Sequence, residues 1–557
     1  MPSVPLRLDA LAGGRAAFAE RRWEDAFAAL AVADAQRPLE SADLELLARA
    51  ASLTGRDKDA FGALERGYAL CVAEGDDRGA AAAAFWHGFR LASLGEGAQS
   101  RAWLARAERI VDRLGDCAER GYLCLPRIHH LLHVGNPEGA YGEATVAMTI
   151  ADRFGDAALA ALARQLGGRA LIEQGRVDDG MRLLDEAMLI ATTEPVDELS
   201  KGLVYCAVIG CCQRVFAVDR AREWTEVLHD WCETQSQLGT FNGTCRVHRA
   251  ELMRLGGAWG EALDEAMLVG AGGRSEGFER AAAGYEEAEI HRLRGDEDAA
   301  ELAYQRTSDL GGDPQPGLAL LRLAQGRLDV AAGAIRRSVA TARTALARAR
   351  FLPACVEILV AAGDRGGADD AALAIAECAD QYGTPVLRAF AGHAGGLVAL
   401  STGNVARALP QLIEARDIWL GLGAPYPAAR VRVALAEAYA ALGDSDGARL
   451  EAGAARTVFE NLAARPDLDR LGQSTGPARS AASGEGLLSP RELQVLRLVA
   501  TGKTNREISA ALGVSSRTVD RHMSNVLAKL VVPSRAAATA YAYEHELIGR
   551  QVPPWMA

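Results

Sequence analysis

The chain has 557 residues, too many for one ordinary domain, and its 49% hydrophobic content is enough for sizeable cores. Net charge is −12, aromatics make up only 6%, and Ala, Leu, Arg and Glu dominate, a composition that favours helices. No run of eighteen apolar residues and no basic-then-apolar N-terminal pattern occurs, so no membrane span or leader is expected and the protein reads as cytoplasmic.

Along the first 460 residues a helical stretch, a Gly-x-x-x-x-Ala turn and a second helical stretch recur. Gly55 precedes Ala60, Gly135 Ala140, Gly257 Ala262, Gly295 Ala300, Gly326 Ala331, Gly363 Ala368, Gly403 Ala408 and Gly443 Ala448. Degenerate copies lie between them: Arg21 with Ala26, Gly95 with Ser100, Gly175 with Gly180, and Phe216 with Ala221. The spacing is about 31 to 41 residues, mostly near 40, the signature of a helical solenoid. The glycine ends the first helix, where a left-handed residue costs least. Around Gly168, Gly180, Leu184 and Ala187, small residues stand where two antiparallel helices cross. One such pair cannot bury its own face, so stacking supplies the core. The pattern resembles the tetratricopeptide repeat, whose period of about 34 is shorter, so longer helices or loops are implied.

The array covers 1–462, and Asp313-Pro314-Gln315-Pro316-Gly317 is a rigid break that divides it into two lobes near 313–317. Trp224, Trp231, Trp259, His248 and Arg249 are the candidate lining of an effector pocket, with helix packing as the plainer role. His129 and His133 are spaced i, i+4 beside His130, but no third and fourth metal ligand stands near. Cys206, Cys211 and Cys212 lie in an apolar helical segment and read as buried thiols. Gly502-Lys503-Thr504 ends like a phosphate-binding loop, yet the position five before Gly502 is Arg497, so it is a turn. No catalytic residue, metal or cofactor is expected, and the chain does not read as an enzyme.

From 463 to 486 periodicity fades into Pro, Gly, Ser, Gln and Ala, the composition of a flexible linker. Beyond it, the residues from 487 onward carry a net charge of +4 while the rest carries −16. A small basic module on an acidic body suits nucleic-acid contact at one end. Ser489 with Glu492, and Thr504 with Glu507, form two capping boxes, the first with Pro490 at the opening helical position. The second helix runs to Leu512, breaks at Gly513, and a third begins near Ser515, a helix-turn-helix. On the third helix Val519, Met523, Val526, Leu527 and Leu530 form an apolar stripe. Its other face carries Arg517, Asp520, Arg521, Ser524, Asn525 and Ala528. Arg521 is the best placed for bidentate contact to guanine, with Ser524, Asn525 and Asp520 beside it as base readers.

Leu488-Ser489-Pro490-Arg491-Glu492, Val495-Leu496, Gly502, Asn505-Arg506-Glu507-Ile508, Leu512, Ser515, Thr518-Val519, His522 and Lys529-Leu530 resemble the four-helix DNA-binding module of LuxR-type transcriptional regulators. The resemblance implies that Thr504, Asn505, Arg506, Arg517, Thr518, His522 and Lys529 hold phosphates, and that a fourth helix after Ser534 pairs two modules in a homodimer. It departs at Asp520, where the family often carries Lys; the carboxylate either accepts from a cytosine or orients Arg517 or Arg521.

The expected fold is all-α: a tetratricopeptide-like solenoid (1–462), a linker (463–486), a four-helix DNA-binding domain (487–550) and a tail (551–557). The expected function is a bacterial transcription regulator that binds double-stranded DNA, its array sensing a small-molecule effector. The alternative is a scaffold that recruits a protein partner.

Overall fold

The computed structural model describes residues 4–475 and 488–544, apart from 236, 240, 272–276, 489, 501, 513, 531 and 533. Every regular element among the described residues is a helix. By contacts the chain forms two units, Met1–Ala362 with Leu373–Arg388, and Gly363–Ala372 with Ala389–Ala557. The division by contacts falls near 363–388, away from the Pro-rich stretch 313–317. Ala288, Ala300, Ala303, Tyr304 and Leu321 share one core cluster on both sides of that Pro-rich turn.

The solenoid is built from antiparallel helix pairs such as Ala157–Glu173 with Val177–Thr193. All twelve turn positions read from the sequence have positive φ, including the non-glycines Arg21 (φ 60) and Phe216 (φ 59). The turns close by the same backbone bonds: Arg176 N–H donates to Leu171 O at 2.9 Å, Asn136 to Leu131 O at 2.9 Å and Ala217 to Cys212 O at 2.8 Å. This 6→1 bond satisfies a carbonyl that the helix end leaves free. A second set, Gly75, Gly115, Gly155, Gly383 and Gly423, also has positive φ and sits midway between the first. The true module is thus a half-unit of 20 residues, one helix and one turn, as in Gly55, Gly75, Gly95, Gly115, Gly135, Gly155 and Gly175.

Small residues set how closely the pairs approach. A Cβ on Gly168 would meet Gly180 O and the Leu184 side chain at 2.8 Å each, and Gly180 in turn faces the Gly168 carbonyl. Ala140, Ala144, Ala147, Ala161, Ala163 and Ala187 are wholly buried around them. Within the first unit distant turns also touch: Trp23 Nε1 donates to Gln235 Oε1 at 3.3 Å and Gly239 N–H to Leu53 O at 2.9 Å. A Cβ on Gly175 would come within 3.2 Å of Gln381. Cys211 and Cys212 are buried, and burial pushes the thiols of Cys206, Cys211 and Cys212 up.

The linker expectation is corrected in its first half. Arg465–Thr475 is a helix, with Pro466 in the first turn, where no N–H is needed. Leu471 and Asp467 are buried, and Tyr426 Oη donates to Asp467 Oδ2 at 2.9 Å. Residues 476–487 lie outside the described residues.

Replacing Gly168 by Ala should lower stability by about 1–3 kcal/mol, because the crossing must open. Gly210→Ala, where nothing lies within 4 Å, should instead stabilise its helix by up to about 1 kcal/mol. Urea unfolding of the two variants reads the contrast directly.

Candidate nucleic-acid interface

The module comprises helices Pro490–Ala500, Asn505–Leu512, Ser516–Leu530 and Arg535–Glu544. Val495, Leu496, Val499, Ile508, Val519, Met523, Val526, Leu530 and Ala538 form its core, with Leu488, Leu512 and Leu527 packed against it. The apolar stripe of the third helix is therefore its inner face. The second capping box is formed: Thr504 N–H and Oγ1 donate to Glu507 Oε2 at 2.7 and 2.8 Å. Those bonds hold the Glu507 carboxyl below its usual range. Ser489 and Gly513 lie outside the described residues. Gly502 has φ 83, so the Gly502-Lys503-Thr504 run is a turn. The third helix is capped by Ser515, whose Oγ accepts from Thr518 N–H at 3.1 Å and lies 2.7 Å from Thr518 Oγ1.

Arg517, Asp520, Arg521 and Ser524 are exposed on the outer face, and Asn525 is half-buried. Lys503, Arg506 and Arg517 are exposed cations around the turn. Several polar side chains here are committed to the module itself. Asn505 Nδ2 donates to Asp520, and Arg535 Nη1 donates to Asn505 Oδ1 at 2.5 Å. Asp520 thus braces the turn between two helices, a role the sequence reading did not weigh. Ser524 Oγ donates to its own helix at Asp520 O, 3.0 Å away.

One expected phosphate holder, His522, turns inward, and another, Lys529, is exposed but paired within the module. His522 is 7% exposed, and burial pulls its imidazole below the usual range. Lys529 Nζ donates to Glu492 Oε2 at 2.7 Å, and Glu492 is 3% exposed. A buried carboxylate needs a cation, and this one is reached from 37 residues away. Arg535 and Arg491 were not foreseen; Arg491 Nη2 donates to Leu512 O at 2.9 Å and closes the end of the second helix.

Arg521, expected from the sequence to read a base, meets carboxylates of its own unit. Its Nε donates to Asp446 Oδ2 at 3.1 Å, and its Nη2 lies 3.9 Å from Asp444 Oδ1. Both aspartates belong to the start of the helix Ser445–Leu462, where Asp444 Oδ1 also caps Gly447 N–H at 3.0 Å.

Of the candidate effector lining, Trp259 is 2% exposed and its Nε1 donates to Arg254 O at 3.0 Å. Arg249 Nη1 lies 3.0 Å from His229 Nδ1 and 3.2 Å from Glu265. Trp231 packs edge-on to Tyr205 with ring centres 5.5 Å apart. The Nε1 atoms of Trp224 and Trp231 and the Nε2 of His248 are buried without a hydrogen-bond partner. Among the described residues, no three metal-ligating side chains converge at His129, His130 and His133.

The family model described as "Bacterial regulatory proteins, luxR family" matches residues 486–542, and this segment is a LuxR-type helix-turn-helix domain. Over 62 residues the chain is 44% identical to the response regulator protein VraR of Staphylococcus aureus, and equally so to the proteins of that name in Staphylococcus saprophyticus and Staphylococcus epidermidis. The match covers 11% of this chain and 30% of each relative, so the chain spans less than a third of their length. Two solved structures are similar at 13% identity. One is the APC/C hetero-tetramer Cut9-Hcn1, with a TM-score of 0.34, covering 82% of this chain and 95% of that chain. The other is Rap protein complexed with competence and sporulation factor, with a TM-score of 0.30, covering 69% and 96%.

Arg506→Ala should weaken binding to all DNA sequences alike and reduce the salt dependence by about one phosphate contact. Lys529→Ala should act first on folding, costing about 1 kcal/mol by stripping a partner from buried Glu492. Salt titration of DNA affinity and thermal unfolding of both variants separate these roles.

Proposed function

We propose that the chain is a sequence-specific DNA-binding transcriptional regulator. In this reading the array, 1–462, senses a small-molecule effector and governs how the module, 487–550, is presented to double-stranded DNA. The observation that carries it is the recognition helix Ser516–Leu530: Val519, Met523, Val526 and Leu530 are buried, while Arg517 and Arg521 stand out opposite them. Arg521 then reads guanine in the major groove, Ser524 and Asn525 contact neighbouring positions, and Lys503, Arg506 and Arg517 set the register on phosphates. Two modules joined through the fourth helix would read half-sites about one turn of DNA apart. No described helix is long and apolar enough to cross a membrane, which agrees with a regulator working beside DNA in the cytoplasm.

Control follows from the same arginine. The guanidinium that reads a base cannot also hold Asp444 and Asp446, so those carboxylates compete with DNA for it. An effector that moves the start of the helix Ser445–Leu462 would release the reader. The scaffold alternative differs in what occupies the array: a protein partner would change which complex is recruited and leave this competition unaltered.

Selection of random-sequence DNA by the full-length protein should enrich a two-half-site operator, bound at least about a thousandfold more tightly than random DNA at physiological salt. Arg521→Ala should erase the preference at one position of each half-site. Equal loss on operator and random DNA would sink the base-reading role. Asp446→Asn should raise operator affinity about fivefold to tenfold, about 1 kcal/mol; unchanged affinity would remove the competition from the mechanism.

A further inference from the structure

Many arginines of the array are held by carboxylates. Arg66 makes two bonds of 2.6 Å to Asp34, Arg164 reaches Asp152 at 3.1 Å and Glu186 at 3.3 Å, and Arg254 reaches Glu286 at 2.6 Å. Arg169 and Arg214 are not. Among the described residues neither has a carboxylate within 4.0 Å, and Arg169 Nε is buried without a hydrogen-bond partner.

These two arginines are neighbours. Arg169 lies on the helix Ala157–Glu173 and Arg214 on Glu198–Arg214, the first helices of successive units, which pack on each other. Gln165 Nε2 and Cys211 Sγ meet between them at 4.0 Å. Arg169 is one turn beyond Gln165 and Arg214 one turn beyond Cys211, so the two arginines follow on the same side of that contact. Burial, and after it the charge of Arg214, pulls the Arg169 guanidinium below the usual arginine range; Glu173 is the one carboxylate that offsets this.

The neighbouring wall is neutral. His129, on the first helix of the preceding unit, is pulled down to about 4 by burial and then by Arg169, and its ring lies 6.0 Å from that of Phe89. Arg214 is exposed and Arg169 is half-buried, so solutes reach the cluster. Two adjacent guanidiniums with too little counter-charge destabilise the fold, and a bound anion with several acceptor oxygens reverses that sign.

We propose that Arg169 and Arg214 are the recognition site for the anionic group, carboxylate or phosphate, of a small organic ligand whose body lies along His129 and Phe89. The site deepens the effector reading above and rests on it for any consequence at the operator.

The test uses the full-length protein with inorganic phosphate and with benzoate, each compared with chloride at matched ionic strength. Calorimetry should detect one anion per chain, and thermal unfolding should shift upward with its concentration. Arg169→Gln and Arg214→Gln should each weaken binding at least tenfold, while Arg164→Gln, on the same helix, should leave it unchanged. Without anion, Arg214→Gln should unfold at a higher temperature than the parent, since a like charge is removed. Binding of benzoate alone assigns a carboxylate, and of phosphate alone a phosphoryl group. No shift beyond chloride, or a shift retained in the double variant, overturns the site. Anion binding with unaltered operator affinity keeps the site and overturns effector control. No binding leaves that control to be judged on Asp446→Asn.

Discussion

The rest of the structure depends on one constraint: a helix of fourteen to eighteen residues buries a single face against its partner and leaves the other for the next pair. Continuity of the core therefore requires each turn to redirect the chain at the same angle. At Gly55, Gly95, Gly135, Gly175, Gly403 and Gly443 a residue of positive φ does this, closing the helix with the 6→1 bond and starting the next helix in the opposite direction. Where glycine is absent, at Arg21 and Phe216, the geometry is kept at φ 60 and 59. The cost of about 1 kcal/mol at such a residue is outweighed by the stacking on either side. Alanine at the crossings, and glycine at 168 and 180, let the helices approach; this is why so apolar a chain has so few aromatics.

Close helix packing leaves charge to the surface rows, and there the acidic array and basic module diverge. In the array many arginines are neutralised by a carboxylate, as Arg66 is by Asp34 and Arg322 by Glu301. In the module Lys503, Arg506 and Arg517 are left open around one turn. Among the described residues, unpaired arginines also occur in the array, as at Arg101, Arg109 and Arg407, so what sets the module apart is three open cations gathered around one turn. The turn of the module suits a phosphate backbone.

What the sequence made legible was local. Ten of the twelve turns were readable from glycine and its spacing, and the two at Arg21 and Phe216 from spacing and the alanine that follows. The module core was readable because Val519, Met523, Val526 and Leu530 repeat at helical intervals. The half-unit was missed although Gly75 and Gly155 carry the same alanine five residues on, at Ala80 and Ala160; of these three only Gly115, followed by Arg120, lacks it. The helix Arg465–Thr475 was hidden by Pro466, which breaks a helix interior but suits its first turn. Pairings between distant residues left no trace: Lys529 with Glu492, Asp520 with Asn505 and Arg535 with Asn505 span 15 to 37 residues. Their chemistry is ordinary, and only the fold shows which cations are already taken.

Those pairings narrow the reading of DNA by elimination. Asp520 faces Asn505, Ser524 bonds its own backbone, His522 is in the core and Lys529 serves Glu492. Each hydrogen bond to a neighbour is a donor or acceptor that a base edge must win back, at about 0.5–1.5 kcal/mol each. Arg521 differs, because its partners Asp444 and Asp446 belong to the helix pair that precedes the module and not to the module's own scaffold. A bidentate contact to guanine is worth about 1–3 kcal/mol, the same order as a charge-assisted bond to a carboxylate. Two interactions of equal size for one guanidinium make a balance that a small shift of either side tips. A residue with one strong partner would be either always free or always held.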